Sequence, residues 1–233
     1  EHGGFPEPFT MRDPLFTNRW TRTRHQQLVR EDLRDLTSIH ELGQVESLVE
    51  LLAGRSSQQL SYSNLAPLLQ VSVSTARRWV TTLCRLYLGF LVRPWFGSLS
   101  RSLRKEPKWY LRDWSGIEDP GARTETFIAC HLLKAVEGWT DMGFGEFELR
   151  YLRDKERHEV DFLVVRDRQP WFLVEAKKSD REISRSLAYY REKLRVPHAF
   201  QAVMDLDFVE ADCFSRPGEN LVVPAATLLS QLL

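Results

Sequence analysis

Between positions 159 and 177 the chain carries two apolar runs joined by five residues, and charged side chains interrupt both. The first run is Glu159-Val160-Asp161-Phe162-Leu163-Val164-Val165 and the second is Trp171-Phe172-Leu173-Val174-Glu175-Ala176-Lys177. Their β-branched and aromatic content reads as strand. A connection as short as Arg166 to Pro170 predicts an antiparallel hairpin. Strand side chains alternate between faces, which puts Glu159 with Asp161 on one face and Glu175 with Lys177 on one face. An acid and a base at the end of an otherwise apolar strand are costly unless each is paired or bound to a metal. The fold therefore has to build a sheet whose interior carries charge at one end.

The surroundings read as α/β. Thr124 to Val136 is expected to be a helix burying Phe127, Ile128, Leu132 and Leu133. Phe147 to Tyr151 is expected as a strand, Ile183 to Leu194 as a helix, Ala199 to Met204 as a strand and Ala225 to Leu233 as a terminal helix. Residues 43–112 read as three helices and two strands. The first helix runs through Val45, Leu48, Val49, Leu51 and Leu52 to Gly54. A second, Asn64 to Leu69, has Ser61 or Ser63 as its cap. A third, Thr75 to Tyr87, follows a turn in which Ser72 or Ser74 is the cap. It places Ala76, Val80, Leu83 and Tyr87 on one face, and Gly89 stops it. Phe90 to Val92 then pairs with Lys108 to Leu111. That order is a helix-turn-helix followed by a β-wing. Residues 1–42 open with Gly and Pro, and Leu28, Val29, Leu33, Leu36 and Ile39 predict a helix from Arg19 to Leu42. The expected boundaries are 1–42 as a helical segment, 43–112 as a winged helix-turn-helix and 113–233 as an α/β domain.

The 233 residues hold 32 Lys and Arg against 32 Asp and Glu, a balance that argues against a uniformly basic surface. The zero is a sum over unlike segments. Residues 43–112 carry ten cations against three acids, a net +7, while 1–42 sum to −1 and 113–233 to −6. No apolar run reaches the roughly 20 residues of a membrane span, and the N-terminus has no signal-peptide pattern. Cys84, Cys130 and Cys213 are too far apart for a zinc site and odd in number, so a reducing cytoplasm is expected. The chain begins without Met, as a piece of a longer protein would.

Two candidate sites follow. Arg77, Arg78, Thr81 and Arg85 lie outward on the third helix, suited to guanine edges and phosphates in a major groove. Arg101, Arg104 and Lys105 lie in a loop, Ser98 to Lys108, that reaches an adjoining backbone. A helical protein-packing module with a solvated Arg face is the other reading of this segment. The second site is the hairpin, where Asp161 and Glu175 on neighbouring strands repel unless a divalent cation lies between them. Oxygen ligands favour Mg²⁺. Lys177 stands where it can orient or help deprotonate a water, and Glu125, early in the preceding helix, is a further ligand. Metal with a positioned water is the equipment for phosphodiester hydrolysis. A structural cluster of ion pairs is the alternative.

The order Glu125, then Asp161, then Glu175-Ala176-Lys177 resembles the PD-(D/E)XK nuclease core, with Val160 in place of the Pro before Asp161. The resemblance implies that Asp161 and Glu175 ligate metal, that Lys177 assists the water, and that Glu125 is auxiliary. A wider pattern covers almost the whole chain. It runs from Gly3-Gly4-Phe5-Pro6-Glu7 through Arg30-Glu31-Asp32-Leu33 and Ser63-Asn64-Leu65-Ala66. It continues with Lys105-Glu106-Pro107-Lys108-Trp109-Tyr110-Leu111-Arg112-Asp113 and Glu125-Thr126-Phe127, and ends in the hairpin. Together these resemble the C-terminal half of a prokaryotic AAA-type ATPase family that carries a nuclease-like domain after its ATPase module. The resemblance implies ATP binding in a module outside these residues, since no Gly-x₄-Gly-Lys-Ser/Thr is present. It implies that ATPase module and DNA as partners, and it makes residues 1–42 a remnant of the ATPase lid. A catalytically inactive nuclease fold, kept for DNA or partner binding or for oligomerisation, is the rival expectation.

Overall fold

In the computed structural model, residues 3–27, 39–95 and 106–232 are described. Most of the expected N-terminal helix core (Leu28, Val29, Leu33, Leu36), the loop bearing Arg101, Arg104 and Lys105, and Leu233 lie outside them. The described residues are mixed α/β, with a seven-stranded mixed sheet in the order Lys108–Leu111, Gly89–Pro94, Phe147–Arg153, Glu159–Arg166, Gln169–Lys177, His198–Val203, Asn220–Pro224. The chain divides into two compact units: residues 1–91 with 107–118, and residues 92–106 with 119–233.

The first unit begins with α1 (Pro6–Met11) and α2 (Pro14–Gln27). α3 (Ile39–Ala53) then buries Val45, Leu48, Val49 and Leu52, the i, i+3, i+4, i+7 stripe of an amphipathic helix. α4 (Tyr62–Leu68) and α5 (Val73–Arg85) are joined by residues 69–72, where Gln70 takes a left-handed φ of 54°. Ser72 caps α5 by accepting from the Thr75 N–H at 3.0 Å. Ser61 is the N-cap of α4 but makes no capping bond, and its hydroxyl meets Ser63 Oγ at 2.9 Å instead. Leu60, Leu65, Leu69, Trp79, Val80, Leu83 and Trp109 close the core over α3.

Two expectations about α5 are corrected. The helix ends at Arg85, and Tyr87 turns out of it with φ 58° and 62% exposure, so Tyr87 does not share the face of Ala76, Val80 and Leu83. Trp79 takes that face, at 2% exposure. Gly89 is not the helix stop either. It opens β1 (Gly89–Pro94), and a Cβ there would lie 2.4 Å from both the Trp109 ring and the Tyr110 carbonyl oxygen. The glycine is required by close approach. β2 (Lys108–Leu111) carries the buried Trp109 and Tyr110.

The second unit opens with α6 (Pro120–Asp141), longer than expected at both ends. Asp119 caps it by accepting from the Ala122 N–H, and Pro120 fills the first turn, a start signal the apolar spacing alone did not show. Phe127 and Leu133 are half-buried, while Thr126, Ile128, Ala129 and Leu132 form the buried side. β3 (Phe147–Arg153), β4 (Glu159–Arg166) and β5 (Gln169–Lys177) form an antiparallel meander. The β4–β5 connection is tighter than five residues: Asp167 and Arg168, both with positive φ, make a two-residue turn whose twist matches the strands. α7 (Arg185–Leu194) carries the chain from β5 to its parallel neighbour β6 (His198–Val203). β7 (Asn220–Pro224), a parallel edge strand absent from the sequence reading, precedes the short α8 (Ala225–Leu229). On one face Leu187 and Tyr190 of α7 pack over Leu163, Val165, Leu173 and Ala199. Trp139 of α6 packs against Phe147 and Trp171.

Candidate functional site

The hairpin brings Asp161, Glu175 and Lys177 together. β4 and β5 pair as Phe162 with Val174 and Leu163 with Leu173, which sets Asp161 and Glu175 at neighbouring strand positions. Asp161 Oδ2 accepts from the Ala176 N–H at 3.0 Å. Lys177 Nζ donates to Glu175 Oε1 at 2.9 Å. Glu175 is 6% exposed, and its other oxygen, Oε2, is buried with no hydrogen-bond partner among the described residues. Burial, and next the nearby Asp161 charge, push the Glu175 carboxyl up to about 7, against the opposing pull of Lys177. Burial works against the Lys177 ammonium too, but Glu175, with Asp161 and Asp180 behind it, outweighs burial and raises it above its ordinary range.

Glu159 goes elsewhere, and the pairing with β3 explains why. Arg150 pairs with Leu163, but Leu152 pairs with Val160, so β4 holds one extra residue between them. This β-bulge breaks the period of two between Glu159 and Asp161, and the alternation that grouped their carboxylates does not carry across it. Glu159 forms an ion pair with Arg153 at 3.1 Å.

Glu125 sits half-buried near the start of α6. Among the described residues no group of three or more His, Cys, Asp or Glu side chains converges on one point, so Glu125 is not gathered with Asp161 and Glu175. What the hairpin offers a cation is two carboxylates, one of them with an orphan buried oxygen. Hard oxygen donors of this kind suit Mg²⁺ or Mn²⁺ with most of the shell left to water.

Sequence reasoning missed Gln201. It lies on β6 opposite Glu175 and is wholly buried. Its side chain accepts from the Ser184 N–H at 2.9 Å and donates to the carbonyls of Asp180 at 3.0 Å and Glu182 at 2.7 Å. It thereby staples the segment that leaves Lys177. A buried Gln in an apolar strand is the signal that could have found it.

In the first unit Arg77, Arg78, Thr81 and Arg85 are all exposed on α5 and line one shallow concavity with Val73 and Ser74. The Arg77 guanidinium lies 4.8 Å from the Tyr62 ring centroid, and Thr81 Oγ1 donates to the Arg77 carbonyl at 2.9 Å. The unit also holds an apolar cavity of about 170 Å³, walled by Phe5, Trp20, Val49, Tyr87 and Leu111, which contains none of the candidate residues. No helix among the described residues is long and apolar enough to cross a membrane.

Residues 1–117, half of the chain, match the family model described as Domain of unknown function (DUF8612). Residues 120–212 match the one described as Domain of unknown function (DUF4143), a domain associated with the C-terminal regions of AAA-type ATPases. Two proteins named as uncharacterized, one from Mycobacterium bovis and one from Mycobacterium tuberculosis, are each 26% identical over 200 residues. Each alignment covers 79% of this chain and 44% of the relative, so the chain spans less than half the length of these curated relatives. No solved structure matches the chain.

Proposed function

The chain belongs to the DUF8612 family, and we propose that it is the nucleic-acid-processing C-terminal region of a cytoplasmic AAA-type ATPase. In this reading residues 43–112 are a winged helix-turn-helix that grips DNA through Arg77, Arg78, Thr81 and Arg85. Residues 113–233 are a PD-(D/E)XK nuclease-like domain that hydrolyses phosphodiesters with Mg²⁺. Residues 1–42 belong to the lid of the ATPase module, where ATP binds.

One observation carries the nuclease reading: the buried, unpartnered Oε2 of Glu175 beside the Asp161 carboxylate. Two acids this close repel as anions, and Lys177 engages only Oε1 of Glu175, which leaves the buried Oε2 beside Asp161 for a second cation. Asp161 and Glu175 would hold Mg²⁺, which when bound supplies a polarised phosphoryl oxygen and a more acidic water. Asp161 is held in place by the Ala176 amide, and Glu175 Oε1 by Lys177. Lys177, which donates to Glu175 Oε1, orients that carboxylate and offsets negative charge gathering on the phosphate.

The test is cleavage of linear, nicked and branched DNA by the purified protein with Mg²⁺ or Mn²⁺. Metal-dependent product is expected, with Lys177→Ala lowering the rate about 100-fold, the scale of losing one preorganised charge. Intact DNA in every case, or a Lys177→Ala protein that cuts like wild type, sinks the nuclease reading. A second reading is favoured by the absence of a third converging carboxylate among the described residues. It makes the domain a catalytically inactive nuclease fold for DNA or partner binding, and it predicts salt-sensitive DNA binding with no cleavage.

A further inference from the structure

Where β3 turns into β4, a second polar cluster is built around one imidazole. Asp154 Oδ1 accepts from the His158 backbone N–H at 2.9 Å, and Asp154 Oδ2 lies 3.0 Å from His158 Nδ1. The Asp154 N–H donates to the His158 carbonyl at 3.1 Å, and the Tyr190 hydroxyl donates to that same carbonyl at 3.2 Å. The His158 ring stacks on Tyr189 at 4.5 Å and 28°. Lys193 Nζ donates to the Tyr189 hydroxyl at 2.6 Å and lies 4.7 Å from the Tyr189 ring centroid.

Closing the turn does not need this imidazole. Asp154 would accept from the backbone N–H of any residue at 158, and the Tyr190 bond also goes to backbone. The side chain is an addition to the clamp. Its Nδ1 is fixed by a carboxylate only 15% exposed, one ring face lies on Tyr189, and 41% of the His158 side chain still meets solvent. Nε2 is the nitrogen left for a ligand. Asp154 is set to hold Nδ1–H: burial raises its carboxyl, but the hydrogen bonds from His158 outweigh burial and keep it below the usual carboxylate range. The charged groups around the cluster are Asp154 and Glu156 of the turn and Lys193 on α7, with Tyr189 and Tyr190 packed beside it. As the imidazolium, with Nδ1–H on Asp154, the ring would offer Nε2–H to one oxygen of a tetrahedral oxyanion, and the Lys193 ammonium one tyrosine away would meet another.

We propose that Asp154, His158, Tyr189 and Lys193 form a phosphate-binding subsite in which His158 Nε2 and Lys193 Nζ contact the anion while Asp154 and Tyr189 position them. That the ligand is a nucleic-acid phosphate rests on the function proposed above. His158 is three residues from Asp161, at most about 10 Å along extended chain. One strand of DNA carries a phosphate about every 3.4 Å of axis, so a phosphate held by the subsite lies no more than about three positions from the one Asp161 faces. It would fix the strand's register.

The test is imidazole NMR on the whole chain, with His158→Asn to assign the signal. Inorganic phosphate replaces chloride at constant ionic strength, and a short oligothymidylate is then added without divalent metal. The expected result is a saturable shift of His158 Nε2 in millimolar phosphate. Lys193→Gln, at an exposed position, weakens it about five- to ten-fold, and the oligothymidylate displaces the phosphate. Phosphate also raises the melting temperature of wild type more than that of Lys193→Gln. A non-saturating His158 signal, or equal affinity in Lys193→Gln, overturns the subsite. Saturation by phosphate without competition from the oligonucleotide supports the subsite and overturns its nucleic-acid ligand.

Discussion

A buried carboxyl with one bonded oxygen and one orphan oxygen gives up its proton less readily than an exposed one, and Glu175 is in that position. Its ordinary value of 4.5 rises to about 7 in the fold. Below about pH 4.5 the group is neutral folded or unfolded and contributes nothing to pH dependence. As pH rises toward 7 the unfolded chain ionises first, so folding stability falls, by about 3 kcal/mol at most, and then levels off. Urea unfolding from pH 5 to pH 8 without metal should show this decline in wild type. Glu175→Gln should flatten it, because the amide carries no charge to desolvate. An unchanged decline in the variant would mean that other groups set the slope. At this scale Asp161, Glu175 and Lys177 were legible in the sequence, because each interrupts an apolar strand. Glu159 was misplaced because one extra residue in β4, visible only in the pairing to β3, cancels the alternation. His158 went unread because its meaning lies in Asp154 before it and Tyr189 on another element.

Elements whose signals are local were readable, and those that depend on neighbours were not. The apolar stripe of α3 and the Ser72 cap of α5 are written in the chain itself. The hairpin was evident, though its two-residue turn was not, since Asp167 and Arg168 adopt positive φ without a glycine. β7 escaped because Asn220 to Pro224 shows no alternation, and an edge strand ending in proline is specified mainly by pairing with β6. Gly89 read as a stop and proved to be a packing requirement. Gly89→Ala should therefore lower stability by about 1–3 kcal/mol or more, because the new methyl meets the Trp109 ring and a backbone oxygen that cannot both withdraw. Gly54→Ala, where the added carbon meets nothing within 4 Å, is the control and should change little. Equal melting temperatures for the two variants would contradict the packing account.

For the molecule as a whole, zero net charge conceals segregation: +7 over residues 43–112 and −6 over 113–233. The proposed division of labour follows that split, with exposed arginines of α5 for phosphates and the hairpin acids for a cation. The central claim, a divalent cation held by Asp161 and Glu175, is tested most directly by calorimetric titration of Mg²⁺ and Mn²⁺ at pH 8. Wild type should bind one ion per chain. Asp161→Ala and Glu175→Gln should abolish the heat, while Glu159→Gln, whose carboxylate is engaged by Arg153, should retain it. No heat from wild type, or the same heat from Asp161→Ala, would contradict the account.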